Sequence, residues 1–71
     1  MFLIFNNAVL NVDNIVSIKA HTKSYIEILD TLGRSRFACS ENEQEIDDLL
    51  LDIIKSFKLG VNPTYHNLNI S

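Results

Sequence analysis

Apolar and polar positions change rhythm once along this chain: they follow a period near two up to residue 39 and a period near 3.6 from residue 46 to residue 57. Phe2, Leu3, Ile4 and Phe5 form a short run that is apolar on both faces. Asn6-Asn7 follows, and Asn tolerates the left-handed backbone of a tight turn. Residues 8–12 read as the return strand, and Asp13-Asn14 as a second turn or bulge. In the next run Val16, Ile18 and Ala20 share one face and Ser17, Lys19 and His21 the other. After a turn at Thr22-Lys23-Ser24, Ile26 and Ile28 oppose Tyr25, Glu27 and Leu29. A turn ending on Gly33 leads to a last strand, with Phe37 and Cys39 on one face and Arg34, Arg36 and Ala38 on the other. Short strands joined by short loops predict an antiparallel meander.

The period then lengthens. Ile46, Leu49, Leu50, Ile53, Ile54 and Phe57 fall at steps of three and four, one stripe wide enough to face a core. Ser40 suits the N-cap, and Glu43 three residues on completes a capping box. Glu41, Glu43 and Glu45 crowd the first turns and Lys55 and Lys58 the last, the order the helix dipole favours. Gly60 can take the left-handed position after the helix, and Pro63 prevents its resumption. The fold class these elements define is α+β: a small antiparallel β-meander of four to five strands, with one C-terminal amphipathic helix packed on one face. Residues 1–59 make the domain. Residues 60–71 read as a loosely ordered tail; the alternative docks Tyr65, Leu68 and Ile70 on the sheet, or adds residues 65–70 as an edge strand.

Composition narrows the picture. At 71 residues the chain is one domain whose stability is marginal without help. Cys39 is its single cysteine, so no disulfide can form within the chain, and His21 and His66 show no metal-ligand spacing with it. Self-association is the aid that remains. No run of apolar residues is long enough to cross a membrane, and the apolar start lacks the basic flank and cleavage site of a signal peptide. A lone cysteine suits the cytoplasm. Net charge is −3 and unevenly spread, because the six acids from residue 41 onward face only Lys55 and Lys58. That balance disfavours nucleic acid, whose phosphates are met by Lys and Arg.

Candidate chemistry is sparse. Asp47, Asp48 and Asp52 form an acidic face on the helix; it reads as solvated, with a faint preference for a basic partner. Lys19, His21, Lys23, Arg34 and Arg36 fall on or beside neighbouring strands and turns as a candidate basic patch. Its bland reading is the solvent face of a one-sided sheet, and its sharper one a docking surface for an acidic protein or a phosphate. Cys39, beside Phe37, reads as a buried inert thiol. There is no phosphate-cradling glycine loop and no nucleophile elbow, so no catalytic residue, metal ligand or cofactor is expected. One helix covers one sheet face only, which leaves Leu3, Phe5, Tyr25 and Leu29 as a candidate interaction face. The expected function is a non-enzymatic protein–protein interaction module, a homodimer or an adaptor or inhibitor that docks on a larger protein. The alternative is a nucleic-acid-binding regulator.

Leu10, Asn11, Val12, Asp13, Ile15, Ile18, Ile26, Ile28 and Gly33, followed by the helix stripe, carry a family resemblance over about two-thirds of the chain. The stretch resembles small bacterial and phage proteins, among them the FlbD-like proteins of flagellar and swarming motility. The resemblance implies a small sheet with a C-terminal helix, and it transfers no catalytic residue. A second, partial resemblance, from Asp13 to about Leu50, is to the front half of LytTR-type DNA-binding domains, whose DNA-contacting part has no counterpart here. The order of strands followed by a terminal helix is also similar to that of small RNA-binding dimers of the carbon-storage-regulator type, without their basic edge.

Overall fold

Alternation in residues 15–39 builds an antiparallel meander, β3 (Ile15–Ala20), β4 (Tyr25–Asp30) and β5 (Ser35–Cys39). Ile18 stands opposite Ile28, and Ile26 opposite Ala38, so one face of this sheet is apolar. The computed structural model describes residues 1–22, 24–39 and 43–71, with only the backbone of residues 43 and 44. The expected Ser40 cap, the Glu43 side chain of the capping box, Glu41 and Lys23 therefore lie outside the described residues. The fold is α+β, with a single α-helix among the described residues, α1 (Glu43–Leu59), near the C-terminal end.

The β4–β5 turn shows why it forms. Gly33 adopts φ +80°, where no Cβ is tolerated cheaply. The Asp30 carboxylate accepts from the backbone N–H of Leu32 and of Arg34, both at 2.9 Å, and from Arg34 Nε at 3.1 Å. At the end of α1, Gly60 takes φ +71°. Its N–H reaches the Phe57 carbonyl at 3.3 Å, and that of Val61 reaches Ser56 at 3.0 Å. This pair of bonds is the Schellman closure that Gly at this position permits.

The meander does not extend to the first two strands. β1 (Phe2–Phe5) and β2 (Val9–Asn11) belong to a second three-stranded sheet, of order β2-β1-β6. Its third strand, β6 (Thr64–Tyr65), comes from the tail and runs parallel to β1, with Ile4 opposite Thr64 and Phe5 opposite Tyr65. The expectation of a loosely ordered 60–71 segment is therefore corrected. Ile4 N–H donates to the Pro63 carbonyl, Asn6 N–H to that of Leu68, and Ser71 N–H to that of Phe37. Ile70 is buried and bridges Ala38 of β5. The tail thus ties the edge of one sheet to the edge of the other.

Asn6-Asn7 also works differently from its turn reading. Among the described residues no non-glycine adopts positive φ, so neither Asn supplies left-handed backbone. Their side chains hold the tail instead. Asn7 Nδ2 donates to the Ile70 carbonyl at 2.6 Å while Asn7 Oδ1 accepts from Ile70 N–H at 2.8 Å; Asn6 Nδ2 donates to Asn69 Oδ1 at 2.9 Å. These bonds satisfy backbone groups that the buried Ile70 carries out of water.

The core lies between the two sheets and α1. It contains Leu3 and Phe5 of β1, Ile26 and Ile28 of β4, Ala38 of β5, and Ile46, Leu49 and Ile53 of α1. Burying each large side chain fully contributes about 1.5–3 kcal/mol. The helix stripe is narrower than its periodicity implies: Leu50 and Phe57 are half-buried, and Ile54 is 46% exposed. No helix among the described residues is long and apolar enough to cross a membrane.

Candidate functional site

The candidate interaction face divides between two environments. Leu3 and Phe5 are enclosed within a single copy, at 0% and 3% exposure, and cannot meet a partner. The physical reason is the tail. β6 makes β1 a central strand, so Leu3 and Phe5 face the core and Phe2 faces outward. A strand apolar on both faces does not announce which one is covered. Tyr25 is exposed and Leu29 half-buried on the outer face of β4. The Phe5 ring instead meets the Tyr65 ring, 6.1 Å between centroids.

The apolar surface that stays open is elsewhere. β3 is an edge strand. Just past its end, His21 N–H donates to the Tyr25 carbonyl of β4 at 2.9 Å. Alternation then turns the backbone groups of Ile18 and Ala20 away from β4, toward the open edge. Beside this edge a groove of about 310 Å³ runs between β3 and α1. Val12, Ile15, Val16 and Ile18 form one wall, and Leu50, Ile54 and Phe57 the other. Val16 and Ile54 are 61% and 46% exposed. On α1 the exposed Asp47 precedes the groove residues Leu50, Ile54 and Phe57 in sequence, and the exposed Lys58 follows them.

The candidate basic patch is also divided. Lys19 lies on the outer face and pairs with Glu27 at 3.3 Å; His21 stacks at an angle on Phe37, 5.0 Å between centroids. Arg36 lies opposite Ile28, on the inner face, and Arg34 closes the β4–β5 turn. The two arginines line a second groove, of about 560 Å³, between β2 and the turn end of the meander. Hydrogen bonds from Arg34 and Leu32 hold the Asp30 carboxyl below the usual carboxylate range, against a smaller opposing effect of desolvation.

Cys39 is exposed, contrary to the buried thiol expected, because Ala38 is the residue of that pair that faces the core. On the acidic face Asp47 and Asp48 are exposed, while Asp52 accepts a 2.6 Å hydrogen bond from the Tyr65 hydroxyl. Burial, then the Asp52 carboxylate, push the Tyr65 phenol above its usual value. No cluster of three potential metal-ligating side chains occurs among the described residues.

No family model matches the chain, and no curated protein and no solved structure matches it. Sequence reading missed the β3–α1 groove because it placed Ile54 in the core. Six apolar residues between 46 and 57 suit a core-facing helix, so the stripe itself carried no signal that Ile54 would stay open.

Proposed function

We propose that the chain is a non-enzymatic interaction module that works as a homodimer, joined antiparallel along the β3 edges. The observation that carries this reading is the coincidence of an unpaired strand edge with an open apolar groove beside it. Exposed edges with apolar flanks pair with further strands unless they are covered, charged or bulged, and the register shift between Ile15 and Ser17 leaves residues 17–20 as the regular length of this edge. A two-fold axis through the β3–β3 seam keeps both helices on the same side of the joined sheet. Val16 and Ile54 of each copy then face the helix and edge of the other. The charges agree with that symmetry. An antiparallel arrangement sets Asp47 of one copy toward Lys58 of its partner, and the reverse, as a self-complementary interface requires. Marginal stability at this chain length supplies a reason to associate.

Light scattering and sedimentation at micromolar concentration test the proposal. The expected result is a dimer that Ile54→Asp or Val16→Asp converts to a folded monomer, since both positions are already open to solvent. Asp47→Lys and Lys58→Asp each weaken association, and the double exchange restores it. A wild-type chain that sediments as a monomer overturns the proposal, as does a dimer indifferent to all of these changes.

A further inference from the structure

The larger groove has a composition that dimerisation does not use. It shares only Ile15 with the apolar groove. Two guanidiniums stand in it, and each is anchored through Nε: Arg34 on Asp30 Oδ2 at 3.1 Å, and Arg36 on the Ser71 backbone carbonyl at 3.0 Å. The terminal nitrogens of both make no hydrogen bond to the described residues. Arginine held in this way keeps a flat pair of donors facing outward with little orientation left to lose. Asn11 spends its side-chain oxygen on the Asp13 N–H, which leaves its amide nitrogen to donate. Asn14 and Ser35 add neutral polar groups, and Leu10 and Ile15 are half-buried apolar surface alongside. Asp30 pairs with Arg34 and Ser71 holds Arg36, so what the groove offers an anion is the outward guanidinium donors.

We infer that this groove binds a small phosphate monoester, its phosphate between Arg34 and Arg36 and a compact apolar body against Leu10 and Ile15. A phosphate monoester carries about −1.5 to −2 charge at neutral pH, and its oxygens match the forked donors of two guanidiniums better than one carboxylate does. The volume, about 560 Å³, falls among ordinary small-molecule clefts. Asp30 is here a positioning residue: it aims Arg34 and touches no ligand.

The test is an amide-resolved NMR titration of the whole chain with phenyl phosphate at neutral pH and low salt. The expected result is saturable shifts at the amides of Asn11, Asn14, Ser35 and Arg36. Arg34→Gln and Arg36→Gln each weaken binding about tenfold, the scale of one charge-assisted contact. Arg34 is exposed, so its variant keeps the fold even if loss of the Arg36–Ser71 contact loosens the chain end. Asp30→Asn weakens binding less than either, through Arg34 alone, and Arg34→Lys does not restore it. Absence of saturation at millimolar phenyl phosphate overturns the inference. So does equal affinity for benzoate, or for inorganic phosphate, which has no body to lay on Leu10. A glutamate-rich peptide that shifts these amides where phenyl phosphate does not overturns it in favour of an acidic protein.

Discussion

The two sheets are of equal strand number and share one core, yet they are assembled by opposite means. In β3–β4–β5 every neighbour in space is a neighbour in sequence, and a local device such as the Asp30–Gly33 turn sets the register. In β2–β1–β6 the central strand pairs with residues from the far end of the chain, and the bonds that fix this, such as Asn7 to Ile70, span 63 positions. Closing so long a loop is entropically unfavourable until the contacts it brings have formed. The first kind of sheet is specified by turn chemistry, and the second by side chains that recognise a distant segment.

The deepest cut at this comparison is in the shared core. Leu3→Ala and Ile26→Ala remove fully buried side chains, one from each sheet. Each is expected to cost about 2–5 kcal/mol, read as a lower urea midpoint. Equal loss of both sheets in amide exchange shows one cooperative unit; loss of a single sheet breaks the comparison into two domains. Next comes Asn7→Ala, which removes both bonds to Ile70 and is expected to cost about 1–3 kcal/mol, with exchange rising first at Asn6 and Ser71 and last in β4.

Gly33→Ala and Gly60→Ala meet nothing within 4 Å, so their cost is backbone strain alone, about 1–2 kcal/mol each. Both act locally, and neither is expected to change the exchange of β1. Tyr65→Phe removes the hydroxyl bond to Asp52, at about 0.5–1.5 kcal/mol. Because the folded phenol titrates above its unfolded value near 10, its contribution is complete below that pH and is lost as pH rises through the folded value. The wild-type melting temperature should fall more steeply than the variant's in strong alkali. The smallest effect belongs to Asp30. Its folded pKa lies below 3.8, so its contribution is present above that pH and is lost as acid protonates it; the Leu32 and Arg34 amides report the change, and β1 does not.

The same contrast explains what could be read from the residues beforehand. The strands at Ile15–Ala20, Tyr25–Asp30 and Ser35–Cys39, the helix and its Gly60 stop were all legible, because each depends on near neighbours. So were Gly33 as the turn glycine and Ile26 and Ile28 on one face, but Asn11, read as part of the return strand, also caps the 3-10 turn Val12–Asn14. The inward face of β1 was not legible. Phe2-Leu3-Ile4-Phe5 fits either orientation, and the decision belongs to Tyr65 and Ile70, some sixty positions away. The groove arginines were singled out, but grouping them with Lys19 and His21 ignored the alternation that sends Arg36 to the opposite face.

Ile70 and Ser71 clasp β5, and Thr64 and Tyr65 complete the sheet around β1. A ribosome delivers β1 some sixty residues before these. Until residue 70 has emerged from the exit tunnel, the nascent chain carries Leu3 and Phe5 without their cover, an invitation to chaperones and to neighbouring nascent chains. The sheet around β1 is therefore completed only after residue 70 appears, and a pause in translation after the helix would prolong that exposure.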